Sequence, residues 1–297
     1  LMTQAFGSLD RVGDFALLDE RGEFHQISRY QHRKAVVMMS YHPSCANISD
    51  SVNYLSELNA KYADQDVEFL LLDSSGAGRP EANERGLEFP LLDDAAQLVS
   101  ASLQIEQGGE VIVFNPERLS LFYRGAANQS LDSTLQTLLD GDVRDTVKNA
   151  ISGCAIDYPV RDKLLASPPD YTTEVASIII ENCVECHRWG GAGPFALDSY
   201  TSLLGWSPMI REVVLNKRMP PIQVDPMIGH TDSAQYPSAQ TLQTLVHWMD
   251  AGAPRGDNPV DPLELVPTEK IFEWELGEPD FIVEKPENEI AAVGIQD

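Results

Sequence analysis

Ala35-Val36-Val37-Met38-Met39-Ser40-Tyr41-His42-Pro43-Ser44-Cys45 decides how the first half of this chain is read. Its opening run is continuously apolar rather than alternating, which predicts a strand buried on both faces. Pro43 and Cys45 fall in a loop, and from Ile48 to Tyr62 the residues Val52, Leu55 and Leu58 recur at helical spacing. Upstream, Asp14–Asp19 and Gly22–Ile27 flank a turn and predict a hairpin. Downstream, Val67-Glu68-Phe69-Leu70-Leu71-Leu72 predicts a second buried strand, the stretch from Gly86 to Leu91 a turn, and Ala95 to Leu103 a short helix. Glu110–Phe114 and Leu119–Arg124 predict a hairpin around Asn115-Pro116, and Leu131 to Leu139 a last helix. From Arg11 to about Ile151, strands alternate with amphipathic helices as in an open α/β sheet.

This order resembles the redoxin branch of the thioredoxin fold. The strand–loop–helix ending at Cys45 stands where that fold places its redox cysteine. Two alignments are open: Cys45 as the first redox position with Ile48 as its partner, or Cys45 as the second with His42 as the first. Both break the C-x-x-C pair, and Gly108-Gly109 replaces the proline that normally precedes the strand at Glu110. Cys45 keeps the place of a reactive thiol at a helix N-terminus and is the candidate redox thiol of this half. Redoxin domains fused to cytochromes carry a similar Gly-Cys after the last helix, here Gly153-Cys154. That resemblance implies a Cys45–Cys154 disulfide, with two free buried thiols as the alternative.

The second half centres on Cys183-Val184-Glu185-Cys186-His187, the C-x-x-C-H pattern of covalent c-type haem attachment. Two thiols three positions apart reach the two vinyl groups of one porphyrin, and the adjacent imidazole falls under the iron. A zinc site needs a second ligand pair, and the chain has four cysteines and no H-x3-5-H. The expectation is one covalent haem c. Met219, in Lys217-Arg218-Met219-Pro220-Pro221, is the candidate sixth ligand, because the prolines forbid helix continuation and hold its thioether on an extended loop. Its rivals are Met209, Met227, Met249, His230 and His247. A capping box at Tyr171–Glu174 opens a helix at Thr172 or Thr173, with further helices at Ser199–Leu204, Met209–Asn216 and Ala239–Ala251.

Asn182–Arg188, Gly193-Pro194-Phe195-Ala196-Leu197, Arg218-Met219-Pro220-Pro221 and Trp248–Pro254 together resemble the cytochrome c module of bacterial redoxin–cytochrome fusion proteins, some of which precede a copper type II, ascorbate-dependent monooxygenase domain. That resemblance implies haem bound by Cys183 and Cys186, His187 as proximal and Met219 as distal ligand. Phe272–Asp280 resembles the segment leading into the copper domain, with Phe272, Trp274 and Phe281 packing the tail back on the cytochrome. The fold class expected is thus an α/β thioredoxin-like domain over 1–156, a linker over 157–170, an all-α class I-type cytochrome c domain over 171–260 and an extension over 261–297.

The 297 residues carry 21 Lys+Arg against 46 Asp+Glu, a formal charge of −25. Such a surface repels phosphate backbones and anionic lipid, so nucleic acid is not an expected partner. No run approaches the roughly 18 apolar residues of a membrane span, so no membrane insertion is expected. Because haem is attached to C-x-x-C-H outside the bacterial cytoplasm, the expected location is periplasmic or secreted, with a signal sequence removed. The functional expectation is a carrier of single electrons to or from a redox protein partner such as a secreted copper monooxygenase, with the thioredoxin-like half, its C-x-x-C pair broken, serving for docking. The alternative is a thiol peroxidase or disulfide reductase at Cys45 coupled to the haem.

Overall fold

The structure is a computed structural model and describes residues 10–77, 86–142, 145–221, 237–266 and 280–281. Strands β1 (Ala16–Leu18) and β2 (Phe24–Gln26) form the expected hairpin. A six-stranded sheet follows in the order β5-β4-β3-β6-β7-β8. It comprises β3 (Ala35–Tyr41), β4 (Val67–Asp73), β5 (Leu91–Asp93), β6 (Glu110–Phe114), β7 (Leu121–Ala126) and β8 (Val147–Lys148). β3 runs parallel to β4 and antiparallel to β6, and β6 runs antiparallel to β7.

All seven residues of β3 are buried, as the unbroken apolar run predicts. Val37, Met39 and Tyr41 face a core closed by Leu55, Leu58 and Tyr62 of helix α1 (Ile48–Tyr62) and by Leu131 and Leu135 of α3 (Gln129–Leu139). Val36 and Met38 face the opposite core, which takes in Phe15, Leu17, Val99 of α2 (Leu98–Ser102), Ile156 and Tyr158. Each such side chain contributes about 1.5–3 kcal/mol on burial, so the central strand anchors both layers. Lys61 Nζ and Tyr62 Oη both donate to Asp132 at 2.6 Å, tying α1 to α3.

The stretch read as a linker holds helix α4 (Pro159–Ala166), whose proline sits in the first turn, where its missing N–H costs nothing. The second half packs Tyr171, Val175, Ile179, Leu203, Ile210, Leu245 and Trp248 into one core. Its helices are α5 (Ala176–Asn182), preceded by a π-helical turn at Tyr171–Val175, α6 (Tyr200–Leu215) and α7 (Ala239–Asp250). Two expectations are corrected here. Asp170, not a threonine, caps the first helix: its carboxylate accepts from the Thr173 amide at 2.8 Å while Glu174 accepts from the Asp170 amide at 2.8 Å. The two helices expected at Ser199–Leu204 and Met209–Asn216 are one, running through Pro208. Proline removes a single helical hydrogen bond, and the apolar contacts of Leu203, Ile210 and Val213 keep the helix continuous across it. Ser199 caps it, its side chain accepting from the Ser202 amide.

The two halves touch. Gln243 of α7 donates to the carbonyl of Ala96 at 2.9 Å, and Asn216, at the end of α6, lies 3.4 Å from Asp14 Oδ2. No helix among the described residues is long and apolar enough to cross a membrane. Phe281, expected to pack back on the second half, is 81% exposed; Phe272 and Trp274 lie outside the described residues.

Candidate functional site

Cys45 stands three residues before α1, its amide donating to the His42 carbonyl and its own carbonyl accepting from Ile48. It is 3% exposed and is joined to Cys154 in a disulfide with a Cα–Cα distance of 5.4 Å. The half-buried Cys154 arrives on a segment laid antiparallel along residues 106–108. Gly108 donates to the Cys154 carbonyl and Ile156 to the Glu106 carbonyl, each at 2.9 Å. Asn47 and Gln107 side chains hold Ser152 and Gly153 on either flank, at 2.8 and 3.0 Å.

Two glycines permit this approach. A Cβ at Gly108 would lie 2.4 Å from Cys45 Sγ, 2.9 Å from His42 Cβ and 3.2 Å from Cys154 Sγ; one at Gly153 would lie 2.0 Å from the Gly108 carbonyl oxygen. Of the Gly108-Gly109 pair that stands in place of the expected proline, Gly108 makes room for both sulfurs. Beside the disulfide opens a cleft of about 370 Å³ lined by Asn47, Ser51, Tyr54, Gly108, Gly109 and Ser152. His42, half-buried, shares a 2.8 Å hydrogen bond between its Nδ1 and Ser44 Oγ.

In the second half, Cys183 closes α5 and the chain folds into a tight turn, with the amides of Cys186 and His187 both donating to the Cys183 carbonyl. Both thiols are free, Cys183 half-buried and Cys186 exposed. Burial pushes the Cys183 thiol up to about 11, with the neighbouring Cys186 adding to the shift. His187 Nδ1 lies 3.2 Å from the Phe195 carbonyl oxygen. An Nδ1–H donated there leaves the Nε2 lone pair free to ligate, the arrangement that orients metal-bound imidazoles. The Phe195 ring lies 4.6 Å from the imidazole and stacks on Trp206 at 4.0 Å. Gly193 closes the cradle, since a Cβ there would meet His187 Nδ1 at 2.7 Å. Thiol spacing, imidazole orientation and a side-chain-free backbone around the ring all fit a covalent c-type haem.

Met219 is half-buried on the turn after α6, its amide donating to the Val213 carbonyl at 3.1 Å. Lys217, two residues earlier, has φ 56°. Burial lowers its ammonium pKa, opposed by Asp93 and Asp94 across the junction between the halves. Among the rivals, Met209 is 46% exposed on α6, Met249 packs against the core of the second half and His247 is buried on α7 with Asp250 3.8 Å away. Met227 and His230 lie outside the described residues. The sequence reading named Cys45, Cys154, Cys183, Cys186, His187 and Met219; it missed the positioning roles of Asn47, Gln107, Gly153 and the Phe195 carbonyl. Only the Gly-Gly and Gly-Cys pairs signalled them.

No protein-family model and no curated protein matches the chain. Solved structures do. A hypothetical protein from Sinorhizobium meliloti 1021 is 20% identical over 50% of this chain and 92% of its own, with a TM-score of 0.45. A peroxidoxin from Mycobacterium tuberculosis is 19% identical over 46% and 97%, TM-score 0.37. A thiol-disulfide oxidoreductase from Bacteroides fragilis NCTC 9343 is 17% identical over 43% and 98%, TM-score 0.39. The strand order and directions of β4-β3-β6-β7, with α1 joining β3 to β4, settle the architecture independently. The first half has a thioredoxin-like fold.

Proposed function

We propose that this chain is a two-centre redox protein in which Cys45–Cys154 is a reversible thiol–disulfide pair. One observation carries this reading: the disulfide joins a cysteine just ahead of α1 to one on a segment paired antiparallel with residues 106–108, and Gly108 and Ser152 beside it line a cleft. Cys45 is shielded, so an incoming thiolate attacks Cys154 Sγ. The sulfur–sulfur bond breaks, a mixed disulfide forms with Cys154, and Cys45 leaves as a thiolate stabilised by the helix N-terminus. A second thiol of the partner then attacks that mixed disulfide. The partner is oxidised by two electrons and Cys45 and Cys154 become thiols. Equilibrating the full chain in thiol/disulfide buffers and counting alkylated cysteines tests this: Cys45 and Cys154 should titrate together as one two-electron couple, and a pair that resists reduction until the protein unfolds contradicts it.

A second reading is favoured by the His187–Phe195 contact and the Gly193 cradle. The helical half would hold a haem c through Cys183 and Cys186, with His187 and Met219 as the residues that would ligate its iron. When bound, that haem supplies a one-electron couple whose potential the thioether raises. The Phe195 carbonyl orients the imidazole, and the stacked Phe195 and Trp206 rings lie beside it. The strongly acidic surface suits a basic redox partner, with a secreted copper monooxygenase as the candidate that the resemblance suggests. An oxidising, extracytoplasmic compartment accommodates both haem attachment and a standing disulfide. A near-infrared thioether-to-iron band in the oxidised protein, lost on Met219→Ala, supports this ligand set, and its absence from the unaltered chain contradicts it.

A further inference from the structure

We infer that the reduced Cys45–Cys154 pair, together with His42, forms a binding site for a single thiophilic d10 cation, with copper(I) as the fitting ion. The donor atoms of His42, Cys45 and Cys154 all lie within 4.8 Å of one another. Around a common trigonal ion, with bonds of about 2.0–2.3 Å, ligand atoms stand roughly 3.5–4.0 Å apart, so the cluster needs local adjustment of about 1 Å rather than refolding. Breaking the sulfur–sulfur bond itself pushes the two sulfurs towards that spacing.

The space between the donors is reserved by a missing side chain. A Cβ on Gly108 would touch both sulfurs and His42 Cβ. Glycine is not required there by its backbone dihedral, so the vacancy answers to what lies around it. His42 Nδ1 and Ser44 Oγ share a 2.8 Å hydrogen bond, and in the tautomer whose Nδ1–H donates to Ser44 the Nε2 lone pair is free to ligate. Cys45 is buried while Cys154 and His42 are half-exposed, giving the ion an approach from one side. Two thiolates and one imidazole form a soft donor set that selects copper(I) or zinc. Three protein ligands satisfy copper(I) in trigonal geometry by themselves, whereas zinc on the same set takes a water as its fourth ligand. In the disulfide state the sulfurs are committed to each other, so the site exists only in the reduced protein. Metal loading displaces two thiol protons: two thiols and one copper(I) give a bis-thiolate complex and two protons.

The inference rests on the pair being reducible, and the test separates the two. The full chain carrying Cys183→Ser and Cys186→Ser is reduced with a phosphine, which takes the oxygen of water as its oxide and leaves two thiols; the thiols are counted, and the reductant is removed. Copper(I) is then offered from a chromogenic bidentate chelator. With two thiols counted, uptake of one equivalent is expected, with none by the oxidised protein. His42→Ala, which leaves the disulfide intact, should weaken binding by about tenfold or more. X-ray absorption should show two sulfur and one nitrogen neighbours. No uptake by protein with two counted thiols, equal uptake by the oxidised form, or unchanged affinity in His42→Ala overturns the site. A thiol count of zero overturns the reversible pair and the inference with it.

Discussion

The amide of Gly108 donates to the carbonyl of Cys154 at 2.9 Å. The segment bearing one sulfur is therefore docked by backbone pairing beside the strand that faces the other sulfur, and the covalent bond closes a contact already aligned. Reduction should loosen this segment without dismantling the sheet, since the bonds at Gly108 and Ile156 do not depend on the sulfurs.

Gly108→Ala should block disulfide formation, because its Cβ would stand 2.4 Å from Cys45 Sγ. Overpacking of this kind costs about 1–3 kcal/mol. Alkylation of the folded, unreduced variant should modify Cys154, which is inert in the parent; an intact disulfide in the variant contradicts the placement of Cys45.

Cys154→Ala should destabilise the first half by about 3–5 kcal/mol, as the lost cross-link spans 109 residues and frees the unfolded chain accordingly. Urea midpoints of the oxidised parent, the reduced parent and the variant should place the last two close together and below the first. A variant as stable as the oxidised parent would show that the bond contributes nothing.

How much of this was legible beforehand follows from the physics of each element. β3 and β4 were readable because burial on both faces demands a continuous apolar run, and α1 because Leu55 and Leu58 must share a face. β8 carries two exposed residues and β5 only three, so neither leaves a pattern. Pro208 misled because a helix tolerates one lost hydrogen bond when its flanks are packed. The cysteines and His187 were legible as chemistry. Their orientation by the Phe195 carbonyl and the Gln107 side chain was not, since a backbone carbonyl and a single glutamine make no sequence pattern, whereas Gly108 and Gly153 stood out in the Gly-Gly and Gly-Cys pairs.

Gly193→Ala should displace the His187 ring, whose Nδ1 would meet the new methyl at 2.7 Å. The expected outcome is a chain that still carries haem through Cys183 and Cys186 but has a shifted visible spectrum and a changed reduction potential. An unchanged spectrum would place the imidazole elsewhere.

Asp94 gives a pH signature. Burial pushes its carboxyl up to about 6, against the opposing hydrogen bonds from Ser100 and Val99. Its folded pKa thus exceeds the ordinary value near 3.8, so the protonated form favours the fold. This contribution is present in full below about pH 4 and is lost as pH rises through 6, on the order of 3 kcal/mol. Asp132 works in the opposite sense: although burial raises it, hydrogen bonds from Lys61 and Tyr62 outweigh that and lower its pKa, so its contribution is lost as pH falls. Urea midpoints measured between pH 4.5 and 7 should fall less steeply in Asp94→Asn than in the parent; equal slopes would contradict the assignment.

The most direct test of two redox centres on one chain is the intact mass of the denatured protein after alkylation with and without prior reduction. Haem retained on the denatured chain, no alkylation before reduction and two alkylations after it, at Cys45 and Cys154, are the expected result. Alkylation of Cys183 and Cys186 without reductant, on a chain that carries no haem mass, would contradict it.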